Sequence, residues 1–102
     1  MAKKGETAFK ESLLKELKKI PDSFFYKNVA VSCRGIPDII GCVKGFGIFL
    51  EVKTDCGQMD KLQQYTGIQI IKAGGFFRCI RPENYREIIG EIVRIVHGKI
   101  LQ

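Results

Sequence analysis

Long apolar runs are missing from this sequence. A membrane helix requires about 20 consecutive apolar residues, and Lys44 interrupts the longest stretch, between Ile39 and Leu50. The first six residues carry positive charge, but no apolar segment follows them. We therefore expect neither a secretory signal nor a membrane partner, and we expect an intracellular, cytoplasmic protein.

Clustered metal-binding and disulfide-forming residues are also missing. The four cysteines, Cys33, Cys42, Cys56 and Cys79, include no C-x2-C pair, and the single histidine, His97, is remote from three of them. A zinc site needs clustered ligands, and a disulfide framework needs an oxidising compartment. The sequence therefore predicts buried or half-buried thiols in a reducing cytosol.

Size and charge bound the remaining possibilities. The 102 residues, 45% of them hydrophobic and 27% charged, exclude a wholly disordered chain and suffice for a single domain spanning residues 1–102. The 17 Lys and Arg outnumber the 11 Asp and Glu, which gives a net charge of +6. This excess favours a polyanionic partner, with nucleic acid first and an anionic membrane surface second.

Apolar periodicity predicts an α/β fold, in which helices flank a mixed β-sheet in the order α-β-β-β-α-β-α. Helices are predicted over residues 7–20, over 58–73, and from the proline at 82 to the glycine at 98. Strands are predicted over residues 23–31, 39–43, 48–54 and 76–80.

Two neighbouring strands carry the candidate chemistry. Side chains alternate along a strand, so Glu51 and Lys53 share a face. A two-residue turn at 44–45 sets Asp38 opposite Glu51, and a turn at 45–46 sets it opposite Lys53. Both registers bring the three side chains together, whereas a three-residue turn or a bulge would separate them.

A pair of carboxylates on one face points to a cation. They repel each other unless one is protonated or an ion bridges them. Hard oxygen ligands completed by water suit Mg2+ or Mn2+ better than zinc. Lys53 can offset one negative charge and can stabilise charge that develops on a phosphate. The plainer interpretation is that Glu51 and Lys53 lie on the solvated side of an edge strand.

Two further polar residues fall on apolar helix faces. In the first helix Glu6 lies within the apolar arc, where an acid needs a partner or stands near the helix dipole, and Glu11 lies far from that arc. In the second helix Gln63 faces inward, where it could orient Lys53, a metal-bound water or a phosphate, or could be a buried amide bonded to backbone.

The order and spacing of these residues resemble those of the PD-(D/E)XK nuclease superfamily, most closely its virus-type replication and repair (VRR-NUC) branch. The likeness runs from residue 6 to residue 75 and leaves out the final helix. The residues that carry it are Glu6-x-x-Phe9, Gly35-Ile36-Pro37-Asp38, Phe49-Leu50-Glu51-Val52-Lys53, Leu62-Gln63 and Ala73-Gly74-Gly75.

The resemblance implies a restriction-endonuclease-like fold, related to that of Holliday junction resolvases, and a structure-selective DNA endonuclease that requires Mg2+ or Mn2+. It implies that Asp38 and Glu51 bind the metal together with the Val52 carbonyl, and that Lys53 lies beside the attacking water. It also implies that Glu6 is the first-helix acid, for which Glu11 is the weaker substitute, and that Gln63 is the motif glutamine.

The partners follow from the same resemblance. Stand-alone members of the branch, including phage-encoded ones in the host cytoplasm, are typically homodimers that act on branched DNA such as four-way junctions. The apolar stripe of the third helix, or the segment Phe24-Phe25-Tyr26, could form the dimer contact, although either could be core. Candidate phosphate contacts come from six basic residues: Lys3, Lys4, Lys10, Arg34, Lys61 and Arg78.

Two other functions remain open from the sequence. A DNA-binding subunit could retain the nuclease scaffold without catalysis, although a pure binder gains nothing from carboxylates beside phosphate. An RNA-cleaving relative is the second alternative, and the sequence shows no aromatic-rich platform for single strands.

Overall fold

The computed structural model describes residues 2–29, 34–54 and 57–98, with side chains from Gly5 onward. Within these residues three helices flank one four-stranded mixed sheet, so the predicted α/β class is confirmed. In chain order the elements are α1 (Ala2–Lys18), β1 (Ser23–Lys27), β2 (Ile39–Val43), β3 (Phe46–Val52), α2 (Lys61–Lys72), β4 (Phe76–Ile80) and α3 (Tyr85–Val96).

The strands lie side by side in the order β1-β2-β3-β4, with β4 parallel to β3 and the other pairs antiparallel. Lys44 and Gly45 join β2 to β3 with φ angles of 48° and 87°. Two successive positive φ values are what a type I′ hairpin turn requires. The turn pairs Val43 with Phe46, which is the first of the two predicted registers. The parallel step to β4 needs a crossover, which α2 supplies.

The two faces of the sheet have different coverings. On one, which we call the core face, apolar side chains of the strands pack against α1 and α3. The rings of Phe9 in α1 and Tyr85 in α3 also contact each other edge to face, with their centroids 5.8 Å apart. The buried residues of this core are Leu13, Leu17, Ile20, Phe25, Ile39, Val43, Ile48, Leu50, Val52, Phe76, Ile80, Ile88, Ile92 and Ile95. The opposite face, which we call the site face, carries Glu51 and is covered in part by α2.

The packing of α2 on the site face depends on one glycine. A Cβ atom at Gly67 would lie only 2.4 Å from the ring of Phe77 on β4, so the helix can approach the strand this closely only with glycine there. The strand β1 at the sheet edge keeps its site-face aromatic residues exposed, with Phe24 at 65% and Tyr26 at 48% of full exposure.

Element ends differ from the prediction by a few residues. The first helix begins at Ala2 and ends at Lys18, because Lys19 and Ile20 donate their N–H groups three residues back and tighten the last turn before Pro21. The second helix begins after Asp60, whose side chain accepts the Gln63 N–H at 2.8 Å. The first strand ends at Lys27, and residues 30–31 of its predicted span lie outside the described residues.

The thiol prediction is wrong for one cysteine. Cys42 lies exposed on the site face of β2, beyond the cover of α2, whereas Cys79 is half-buried and both are free thiols. Cys33 and Cys56 lie outside the described residues. Among the residues that the structure describes, the helices are too short or too polar to cross a membrane.

Candidate active site

Strand pairing lines up one row of polar side chains across the site face. The last printed pair of the β2–β3 ladder is Ile39 with Leu50, so Asp38 lies one position further, opposite Glu51. The Asn28 N–H donates to the Asp38 carbonyl at 2.7 Å, which continues the β1–β2 ladder by one residue. Cys79 pairs with Glu51 on the other side. The row therefore consists of Asn28, Asp38, Glu51 and Cys79.

The carboxylate of Asp38 is held through both of its oxygens. The Val52 N–H donates to Oδ2 at 2.8 Å, and the Lys10 ammonium donates to Oδ1 at 3.2 Å. The next N–H along the chain, that of Lys53 just after β3, points toward β4 and donates to the Ile80 carbonyl at 3.1 Å. Successive N–H groups of a strand point to opposite sides. The Val52 N–H therefore binds Asp38 on one side of the strand, and the Lys53 N–H binds β4 on the other.

The segment that leads to Asp38 is positioned by close packing. Gly35 has φ +82°, and a Cβ atom there would lie 2.6 Å from Cγ of Leu62 in α2. Pro37 is fully buried, and its carbonyl accepts the Asn28 side-chain amide at 3.3 Å. The predicted stiff approach to Asp38 is therefore anchored on α2 at one end and on β1 at the other.

Glu51 is the charged residue most deeply buried among those that the structure describes, with 4% exposure. The Gln63 amide donates to its Oε2 at 2.9 Å, and the Lys53 ammonium lies 4.0 Å from the same oxygen. Burial raises the pKa of Glu51 to about 8, aided by the charge of Asp38 and opposed by that of Lys53. A hydrogen bond to Asp38 also favours the protonated form of Glu51.

Gln63 combines two functions. Its Oε1 accepts the Asp60 N–H at 3.0 Å and completes a capping box at the start of α2, while its Nε2 contacts Glu51. The backbone bonding that the sequence offered as one alternative for this residue is present, whereas Glu51 was not among the groups that it was predicted to orient. The group that it contacts is the carboxylate of Glu51.

The two candidate acids of α1 lie in different surroundings. Glu6 Oε2 is 3.8 Å from the Lys10 ammonium, which itself binds Asp38, so Glu6 is connected to the site. Glu11 pairs with Lys27 on β1, and this hydrogen bond lowers the pKa of Glu11. Of the two, Glu6 is the acid that is linked to the polar row, through Lys10.

The predicted phosphate contacts are spread over the molecule. Lys10 lies within the site, and Arg34 and Lys61 are exposed at the segment and the helix start that border it. Arg78 lies on the core face instead, 3.1 Å from Glu91 and stacked on the ring of Phe76. The side chains of Lys3 and Lys4 lie outside the described part of the chain.

The donor set fits a hard divalent ion with several bound waters. Within residues 2–29, 34–54 and 57–98 there is no group of three or more His, Cys, Asp and Glu that could hold a metal. Asp38 and Glu51 offer two converging carboxylates, and Mg2+ is commonly bound by one or two carboxylates together with water and substrate phosphate. A carbonyl ligand from Val52 stays a prediction.

A cavity of about 320 Å³ opens at the turn end of the site face. It is lined by glycine, alanine and apolar side chains, at positions 45–47, 49, 70 and 73–75. None of these side chains titrates or binds a hard cation, so the candidate site is the polar row and not this cavity.

Sequence reasoning missed Asn28, Cys79 and the direct contact of Lys10 with Asp38. The position of Lys10 one helical turn after Glu6 was the available signal for it. Asn28 and Cys79 depend on the registers of β1 and β4, for which no short turn constrains the pairing.

No family model, curated protein or solved structure matches the chain. Functional inference therefore depends on the geometry of the site.

Proposed function

We propose that this protein is a metal-dependent DNA endonuclease of the PD-(D/E)XK type, of the VRR-NUC branch, which hydrolyses phosphodiester bonds in branched DNA. The observation that carries the proposal is the convergence of Asp38, Glu51 and Lys53 on one sheet face. Glu51 is hydrogen-bonded to Asp38 and lies 4.0 Å from the Lys53 ammonium, and the β3 backbone holds Asp38 beside them. A buried acid beside a half-buried one, flanked by ammonium groups, is costly for folding, and a purely structural surface strand has no need of it.

Each residue has a distinct part in the proposed hydrolysis. Asp38 and Glu51 would hold Mg2+ or Mn2+, which supplies Lewis acidity and an activated water when bound. Glu51 would hold the cation as its carboxylate, with the proton released to solvent, and the Gln63 amide keeps that carboxylate in place through the contact at Oε2. Lys53 stabilises the negative charge that develops on the phosphate, since its ammonium already faces the acid pair.

The charge distribution supports DNA as the substrate. The net charge of +6 favours a polyanion, and the exposed Arg34 and Lys61 border the proposed site on the α2 side. Contacts to phosphate from such residues are independent of sequence and weaken as salt rises. Recognition of DNA by shape, as in a four-way junction, is compatible with this kind of contact.

The proposal is tested by incubating the protein with labelled linear duplex, flapped duplex, four-way DNA and RNA, each with Mg2+, with Mn2+ or with EDTA. We expect product from branched DNA in the metal-containing reactions only, and loss of product in Asp38→Asn. A mobility shift without product in every reaction would instead support the DNA-binding subunit. Product from RNA alone would support the RNA-cleaving relative.

We also propose that a second copy of the chain is a partner, through the site-face aromatic pair of β1. The apolar stripe of α3, the other surface considered, is used up in the core, where Ile88, Ile92 and Ile95 are buried. Phe24 and Tyr26 remain exposed with ring centroids 6.2 Å apart. We expect Phe24→Lys to convert a dimer into a monomer in sedimentation velocity runs, and Phe46→Lys, an exposed control at the hairpin, to leave it intact. A wild-type monomer would contradict the proposal.

A further inference from the structure

Lys10 occupies an unusual place for a lysine. Its side chain is only 17% exposed, and its ammonium lies 3.2 Å from Asp38 Oδ1 and 3.8 Å from Glu6 Oε2. An ammonium on a flexible stem is strongly hydrated and is normally left in water. Here it is bound to the carboxylate that would hold the metal.

Both Lys10 and a divalent cation would therefore use the same carboxylate. Asp38 Oδ2 is already bonded to the Val52 N–H, so Oδ1 is the oxygen more open to a new ligand, and Lys10 is on it. A cation that binds this oxygen must displace the ammonium or share the oxygen with it. Glu6 offers a second acceptor toward which the ammonium can turn without leaving the site.

Charge balance indicates when the exchange is favourable. With all carboxylates ionised, Glu6, Asp38 and Glu51 together with Lys10 and Lys53 carry one net negative charge. A divalent ion alone turns this into one net positive charge, and a single phosphodiester group restores neutrality. Like charges in a partly buried site repel appreciably because solvent screens them poorly. Metal without DNA is therefore disfavoured relative to metal with DNA.

We propose that Lys10 is a positioning residue that couples the two ligands: it competes with the divalent cation for Asp38 in the free protein, and it turns to the scissile phosphate once DNA is bound. This inference rests on the proposed function. With this coupling, the nuclease binds metal mainly when DNA is bound at the site. Neutral residues at position 10 leave a site that holds metal well by itself and gains little from DNA.

The first measurement is the dissociation constant of Mn2+ for the free protein, by isothermal titration calorimetry without DNA. Lys10→Met and Lys10→Gln should bind Mn2+ tighter than wild type by on the order of tenfold. Lys10→Arg, which keeps the charge, and Lys15→Met, which removes an exposed lysine of the same helix, should bind as wild type does. A merely structural ion pair predicts a lower melting temperature for both neutral variants and no change in Mn2+ affinity, and that result would overturn the inference.

The second measurement is the Mn2+ midpoint for cleavage at saturating four-way DNA. In wild type this midpoint should lie about tenfold below the dissociation constant of the DNA-free protein. In the neutral variants the Mn2+ midpoint for cleavage and the dissociation constant without DNA should agree. A tenfold difference between them in those variants would also overturn the proposed coupling of metal and DNA binding. If wild type and the neutral Lys10 variants alike bind no Mn2+, or if wild type binds Mn2+ equally well as Asp38→Asn, the metal site itself is refuted. Either failure is recognised in the DNA-free titrations alone, so it is distinguishable from a failure of the coupling.

Discussion

Replacing Lys53 with Met should lower the rate of four-way DNA cleavage by about 100-fold or more and leave DNA affinity within about threefold. The ammonium lies 4.0 Å from Glu51 Oε2 in a half-buried position beside the acid pair. A charge placed there acts on the charge that develops during reaction, and so it affects the transition state more than binding. Methionine keeps much of the aliphatic stem, so the packing around β3 is preserved.

The measurement is a single-turnover rate with excess protein, together with a binding isotherm in Ca2+ or EDTA. Lys61→Met is the matched control, because Lys61 is an exposed lysine at the start of α2. It should weaken binding in a salt-dependent way and leave the single-turnover rate at saturation nearly unchanged. Cleavage by Lys53→Met at more than half the wild-type rate would contradict the role assigned to this lysine.

The hairpin shows what the sequence could predict. A two-residue turn restricts the pairing of β2 with β3 to very few registers, and either of the two considered places Asp38 on the face of Glu51 and Lys53. The observed pairing of Val43 with Phe46 is one of these. The tight turn thus made the central part of the site predictable from strand periodicity alone.

Other parts of the site were beyond such reasoning. In β4 both Phe76 and Phe77 are buried, so alternation of polar and apolar residues could not reveal that Arg78 lies on the core face. A lysine on a helix is expected to reach toward water, and its long side chain can turn in several directions. The inward contact of Lys10 with Asp38 therefore depends on how α1 packs over the sheet, and tertiary packing determines that position.

Glu51→Gln should make the metal-free protein more stable than wild type at pH 8, although it should abolish cleavage. Folding raises the pKa of Glu51 from 4.5 to about 8, chiefly through burial and the charge of Asp38. Between these two values the folded chain holds a proton that the unfolded chain has lost. The free energy of unfolding of wild type therefore falls as pH rises from about 4.5 to about 8, and the favourable contribution is fully present only below that interval.

The size of this effect follows from the pKa difference. Each unit corresponds to about 1.4 kcal/mol, and because water reaches the neighbouring Asp38 and Lys53, we expect a total loss of about 2 to 4 kcal/mol for wild type across the interval. The amide of Gln at position 51 can donate to Asp38 and accept from Gln63, as the protonated acid does, but it never ionises. Its stability should therefore be nearly independent of pH over the same range, apart from contributions common to both proteins.

Urea unfolding of both proteins in EDTA at pH 5, 6, 7 and 8 measures the difference directly. The two curves should nearly coincide at pH 5 and separate progressively, with Glu51→Gln the more stable at pH 8. Adding Mn2+ at pH 8 should stabilise wild type much more than Glu51→Gln, because the cation replaces the proton on Glu51 in wild type and finds only the Asp38 carboxylate in the amide variant. Glu16→Gln, an exposed change on α1, should follow wild type in every condition. A parallel pH dependence for Glu51→Gln and wild type would show that Glu51 carries no extra proton in the folded protein. Both acids would then be ionised at rest, with their repulsion offset by the charges of Lys10 and Lys53.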